Sequence, residues 1–148
     1  MKDKIEIPYQ NIPGFLLATN KYHPGKFIIG RLNGKKVLCM AGRFHYYEGY
    51  EYDELAMPVY VMKLVGVKKL ILTNAAGAIN WNIHPGDIVA ITDHLNFASV
   101  SPTRGNNLDE FGPRFFPIDN LYDKDFRELA KSSAIEEGFA LKEGVYFY

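Results

Sequence analysis

The sequence is short of nearly everything that marks a specialised class. Its single cysteine, Cys39, excludes an intramolecular disulfide framework and any cysteine-based zinc cluster. Neither sign of charge is in excess: 17 Lys+Arg balance 17 Asp+Glu, so no bulk attraction to nucleic acid or to an acidic membrane is encoded. No apolar run approaches the roughly 18–20 residues of a membrane span. The opening MKDKIEIPYQ lacks the apolar segment of a signal peptide. A cytoplasmic globular protein is the expectation, and no repeat or low-complexity segment argues against it. What is present is the composition of a folded chain. A hydrophobic content of 47% with 14% aromatic residues argues against disorder. A single domain over 1–148 can bury roughly 68–70% of its unfolded surface, enough for a core without staples.

Residues 2–20, punctuated by Pro8 and Pro13-Gly14, read as irregular or edge structure. Then Lys26–Leu32 and Lys35–Met40 flank Asn33-Gly34, the two-residue signal for a type I′ hairpin. A helix is predicted from an Asp53 N-cap through Val65, with Leu55, Val59, Met62 and Val65 on its inner face, Pro58 near its first turns and Gly66 as its stop. Val67–Thr73 reads as a buried strand and Asp87–Thr92 as another, with a turn at Pro85-Gly86 between them. Strand, helix and strand in that order imply a βαβ unit. From Phe97 to about Leu121 no period is visible, and a loop of that length in a compact domain is usually functional or disordered. A second helix begins at an Asp123 N-cap with Phe126, Leu129 and Ala130 inward, and ends near Gly138. The last residues, Gly144–Tyr148, open a further strand. The expected fold is α/β, with a mixed, largely parallel central sheet flanked by helices, and incomplete.

Chemistry is concentrated at two strand ends. Arg43 and His45 alternate with Phe44, which puts both on one face of an extended chain. The guanidinium fork suits a phosphate and the imidazole adds a titratable donor. Glu48 lies within reach of His45 and can fix its tautomer. Such an Arg-x-His also suits a solvated strand end. Asn74-Ala75-Ala76-Gly77 follows the apolar run 67–73, at the carboxyl edge where open α/β sheets bind ligands. Its small side chains let an anion approach the main-chain N–H groups, although a tight turn chosen for packing would use the same residues. No Lys-Ser/Thr follows, so it is not a P-loop. His23, before Pro24-Gly25, suits a surface turn. His84 is read as a turn residue and His94 as a satisfied structural histidine, with no metal-type spacing around either. Tyr46, Tyr47, Tyr50 and Tyr52 form either a core edge or a platform beside a sugar. Phe111, Phe115 and Phe116 either pack beneath their loop or project to a neighbouring subunit.

These residues resemble the trimeric purine nucleoside phosphorylases. The likeness is carried by Gly42-Arg43-Phe44-His45-Tyr46-Tyr47-Glu48-Gly49-Tyr50, Leu72-Thr73-Asn74-Ala75-Ala76-Gly77, Gly86-Asp87-Ile88-Val89, Asp93-His94-Leu95-Asn96 and Phe111-Gly112-Pro113-Arg114-Phe115. It extends from about Pro8 onward. The resemblance implies reversible phosphorolysis of purine (deoxy)ribonucleosides to base and pentose 1-phosphate, with inorganic phosphate as co-substrate and no cofactor or metal. It implies phosphate binding by Arg43, His45, His23 and the N–H of Ala75, with Glu48 orienting His45. Tyr47, Asn74 and Ala75 would face the ribose. Phe115, or its neighbour Phe116, would be lent by an adjacent subunit of a homotrimer. Methylthioadenosine phosphorylase is the near alternative, fitted less well by Tyr47-Glu48-Gly49 and Asn74-Ala75-Ala76-Gly77.

Two departures qualify that expectation. The family's Gly-Ser-Gly-Leu-Gly phosphate loop has no counterpart here, nor does the later Gly-Pro-x-(Phe/Tyr)-Glu-Thr segment with the purine-binding acid. The sequence therefore reads as truncated at both ends, with impaired activity on its own. The alternatives are an inactive remnant or a module that binds phosphate or a partner.

Overall fold

Asn33-Gly34 closes the hairpin the sequence predicts. Both residues take left-handed φ angles, 47° and 78°, as a type I′ turn requires. The turn joins β2 (Lys26–Leu32) to β3 (Lys35–Ala41), paired from Leu32↔Lys35 to Lys26↔Ala41. β1 (Lys2–Pro8) adds antiparallel to the other side of β2, so the N-terminal segment is the edge strand of a three-stranded sheet.

The computed structural model describes residues 1–17, 19 and 24–148. They divide into two units, the first made of Met1–Leu70 with Ser101–Phe111 and the second of Ile71–Val100 with Gly112–Tyr148.

The first unit is built on aromatic packing. Tyr9, Phe15, Phe27 and Met62 are buried together, with Ile7, Leu38, Met40, Phe44, Met57, Val61 and Val67 around them. The Tyr9 ring, 1% exposed, lies 5.1 Å from both Phe15 and Phe27 and 5.2 Å from Phe44. Such tilted and edge-on pairs stabilise beyond the area they bury.

Helix α1 (Tyr52–Leu64) covers this cluster. Its N-cap is Glu51 rather than Asp53: the Glu54 carboxylate reaches back to the Glu51 N–H at 2.8 Å, closing a capping box two residues earlier than the Asp53 reading allows. The inner face is also rotated from the predicted one. Pro58 and Met62 are buried and Met57 and Val61 face the cluster, whereas Val59 and Val65 are exposed. Pro58 sits within the helix on its packed side, where core contact offsets the lost N–H bond. Gly66 ends the helix as expected. With φ 88° it lets its own N–H reach Lys63 O and the Val67 N–H reach Met62 O, while Val67 folds back onto the core.

The second unit holds β4 (Val89–Leu95), α2 (Lys124–Glu136) and β5 (Lys142–Phe147). β4 and β5 pair in parallel, Val89 opposite Lys142 and Leu95 opposite Phe147, with α2 in the connection. This is the βαβ unit among the described residues, later in the chain than the sequence suggests. Asp123 caps α2 as predicted, accepting the Phe126 N–H at 2.7 Å. Gly138 and Phe139 repeat the glycine-terminated ending of α1. The buried stripe of α2 is centred on Ala134, with Phe126, Arg127 and Lys131 half-buried; Leu129 and Ala130 are exposed. Arg127 and Lys131 turn that stripe because Glu143 on β5 binds both, at 2.7 and 2.8 Å.

The largest correction concerns Val67–Thr73. It forms no strand: Val67 joins the first unit's core, and Ile71 and Leu72 are each 72% exposed. A strand exists only where another supplies its ladder, and none of the described residues does so here. Consequently the architecture is mixed α/β, but as one small antiparallel sheet and one parallel pair rather than a single largely parallel sheet.

Candidate functional site

Gly42 begins the site. Its φ of 98° turns the chain out of β3, and its carbonyl accepts the hydroxyl of buried Tyr9 at 2.8 Å. Burial, reinforced by Cys39, pushes that phenol upward in pKa, so it remains a neutral donor. Phe44, two residues on, packs against Tyr9, Phe15 and Tyr50. Arg43 and His45 are therefore carried on a segment held at Gly42 and at Phe44. They lie beyond the end of β3, not within it, although the backbone at His45 remains extended with φ −130° and ψ 150°.

A 3-10 turn over Tyr46–Glu48 then brings Glu48 back onto His45. One carboxylate oxygen accepts the His45 backbone N–H at 2.9 Å and stands 2.7 Å from its Nδ1. The other accepts the Thr19 N–H at 2.8 Å and the Thr19 hydroxyl at 2.5 Å. Gly49, with φ 97°, closes the turn. The Glu48 side chain is 1% exposed. Burial alone would raise its pKa and is the largest single influence, but the hydrogen bonds from Thr19 and His45 together outweigh it and hold the carboxyl down at about 2. A carboxylate in this position selects the imidazole tautomer with the proton on Nδ1. Tyr47 stacks on the same imidazole, with centroids 4.8 Å apart and planes at 18°.

The geometry brings His45, Glu48 and Tyr47 together, with Arg43 on the same clamped segment. Asn74, Ala75 and Phe115 belong to the second unit, where all three are exposed, Phe115 by 88%. The segment at Asn74 continues the irregular chain after residue 70 and does not follow a strand end. His23 lies outside the described residues. Phe111 packs on Tyr60 at 4.5 Å, within the first unit. His94 has the structural role expected of it, with Nδ1 3.2 Å from the Tyr122 hydroxyl. No group of three or more metal-ligating side chains occurs among the described residues, and no helix there is long and apolar enough to cross a membrane.

Two contacts escaped sequence reasoning. Thr19 is 29 positions from Glu48, and Tyr50, which both donates to Leu17 O at 2.7 Å and accepts from Leu17 N at 3.1 Å, is 33 positions from its partner. No local period or spacing encodes either.

Comparison with known proteins gives this turn a context. The profile of the phosphorylase superfamily matches residues 1–148. Purine nucleoside phosphorylase 1 of Geobacillus stearothermophilus is 44% identical over 146 residues, 99% of this chain and 53% of that protein. The purine nucleoside phosphorylase of Bos taurus is 43% identical over 143 residues, 93% of this chain and 50% of that one. The crystal structure of Schistosoma mansoni purine nucleoside phosphorylase in complex with inosine superposes with a TM-score of 0.93 at 45% identity, over 99% of this chain and 53% of that one. The chain thus belongs to the phosphorylase superfamily, as a homologue of the purine nucleoside phosphorylases. It spans about half the length of the relatives it matches.

Proposed function

We propose that the chain contributes one part of a single nucleoside phosphorylase domain, and that its turn at Arg43–Glu48 holds the phosphate that attacks a purine nucleoside. The observation that carries this reading is the His45–Glu48 contact of 2.7 Å beside Arg43, on a segment clamped at Gly42 and Phe44. An imidazole fixed in one tautomer, with an arginine two residues before it on the same held segment, supplies the donors an anion site uses. The homologues' inosine and guanosine complexes support a purine nucleoside as the second substrate.

In the reaction, a phosphate oxygen bonds to C1′ as the bond from C1′ to the purine nitrogen breaks, and that electron pair leaves with the base. Oxocarbenium character on the sugar is stabilised by the phosphate dianion alongside it. Arg43 and His45 orient the dianion. For His23 and the Ala75 N–H as further donors, for Tyr47 and Asn74 as ribose contacts, and for Phe115 lent by an adjacent subunit of a homotrimer, the support is the sequence resemblance to the purine nucleoside phosphorylases alone. Phosphate is a co-substrate, and the chemistry calls for no cofactor.

Isothermal titration of inorganic phosphate into the chain tests the reading. Arg43→Ala removes a charged hydrogen-bonding partner and is expected to weaken binding about tenfold or more. Affinity indifferent to Arg43 overturns the assignment. Phosphate binding that depends on Arg43, without inosine phosphorolysis by the same chain, favours the reading of a binding module whose remaining catalytic groups lie outside these residues.

A further inference from the structure

Among the described residues, side chains of the Arg43–Tyr50 turn reach back to the segment before residue 20. The Tyr50 hydroxyl bonds both the N–H and the carbonyl of Leu17, in the manner of a ladder partner. Two residues on, the Thr19 N–H and hydroxyl both donate to Glu48 Oε2, at 2.8 and 2.5 Å. Glu48 Oε1 is used wholly toward His45, through the backbone N–H and Nδ1. The carboxylate is thus a two-sided bracket with Thr19 on one side and the imidazole on the other.

We propose that Thr19 is a positioning residue: by holding one oxygen of Glu48, it fixes the plane of the carboxylate and, through it, the tautomer and orientation of His45. The last torsion of a glutamate is broad, so the plane of its carboxylate is set by the number and direction of the donors on its two oxygens. Its preference for one ring tautomer depends on presenting a lone pair in the plane of the imidazole. With the Thr19 hydroxyl in place, Oε2 has two donors and the plane is set. Without it Oε2 keeps only the Thr19 N–H and Oε1 only the His45 N–H beside the ring, so the carboxylate plane is held less firmly against Nδ1. The geometry acts on Glu48 and His45 whether or not phosphate is present, but its functional meaning rests on the reading of His45 as a phosphate ligand.

The test uses the 15N-labelled chain and the tautomer-sensitive shifts of the His45 ring nitrogens at a pH where the imidazole is neutral. Wild type is expected to show the Nδ1–H form almost alone. Thr19→Val, which keeps the backbone N–H and the side-chain volume, is expected to raise the Nε2–H form several-fold. Thr19→Ser is expected to restore the wild-type ratio, which a purely structural role for the threonine methyl would not do. A wild-type ratio in folded Thr19→Val overturns the proposal. Should that variant fail to fold, hydrogen exchange on the wild-type chain decides. The Thr19 amide has Glu48 as its acceptor, so strong protection supports the bracket and solvent-like exchange overturns it. Phosphate titration of the same samples separates the two ideas. A chain that binds no phosphate, yet shifts its tautomer with Thr19, loses the anion-site reading and keeps this one.

Discussion

Tyr47 lies nearly parallel to the imidazole of His45, 4.8 Å between ring centroids, while remaining 73% exposed. His45 is therefore held on its edge by a carboxylate and on its face by a phenol. Because Tyr47 buries little, Tyr47→Ala is expected to cost about 1 kcal/mol or less in chemical denaturation. The same variant should weaken phosphate binding several-fold by freeing the ring. Tyr47→Phe keeps the stack and should match wild type in both measurements.

Removing the Tyr9 hydroxyl reaches the site from beneath. Tyr9→Phe leaves the Gly42 carbonyl without its 2.8 Å donor and should cost about 1–3 kcal/mol. Since Gly42 directly precedes Arg43, phosphate affinity should fall as well. Tyr9→Ala opens a cavity among Phe15, Phe27 and Phe44 and should cost about 3–5 kcal/mol. Urea midpoints for the two variants measure both effects.

The acid limb of stability should carry the signature of Glu48. Its carboxyl sits at about 2 in the folded chain against an ordinary 4.5, so the stabilisation is fully present above about pH 4.5 and is lost as pH falls toward 2. Glu6, held down by hydrogen bonds from Lys26 and Lys4, titrates in the same window, but on the surface. Salt at about 1 M screens surface pairs strongly and a buried bracket much less. Unfolding followed from pH 5 to 2 in high salt should therefore retain a slope in wild type that Glu48→Gln flattens.

Gly34 tests the hairpin without touching the core. Nothing lies within 4 Å of where its Cβ would project, so Gly34→Ala meets only the backbone penalty of φ 78°. That penalty is about 1–2 kcal/mol. Gly30 is different: a Cβ there would stand 2.8 Å from the Lys2 carbonyl oxygen, and Gly30→Ala should loosen the start of β1. Amide exchange at Lys2 and Ile5 against that at Phe27 and Met40 would separate the two variants.

Apolar side chains on irregular backbone point to association. Ile71, Leu72 and Phe115 are all largely exposed in the second unit. Sedimentation of the chain should show concentration-dependent self-association, and Leu72→Lys should reduce it. A chain that stays monomeric at every concentration would contradict this.

The sequence announced those features whose cause lies within a few residues. Asn33-Gly34 needs only its own φ angles, Asp123 only the amide three residues ahead, and Gly66 and Gly138 only the last turn of their helices. His45 and Glu48 were legible for the same reason, being three apart. What failed was long-range. The inner face of α1 is chosen by Tyr9, Phe15 and Phe27, which no helical period contains. The 67–73 run has every local mark of a strand, yet strand character belongs to a pair of segments and not to one. Thr19 carried no mark at all, since its partner is distant in the chain.

The parallel pair has a kinetic consequence. Val89 can meet Lys142 only after the whole intervening chain, α2 included, has closed into a loop, whereas Leu32 meets Lys35 across two residues. A hairpin of the second kind forms in about 1–10 μs, while contacts between distant segments must first overcome loop-closure entropy. The turn bearing Arg43 and His45 follows directly from that hairpin. The residues proposed to grip phosphate thus start where a fast-forming hairpin ends, and the β4–β5 ladder is expected to close later than that hairpin.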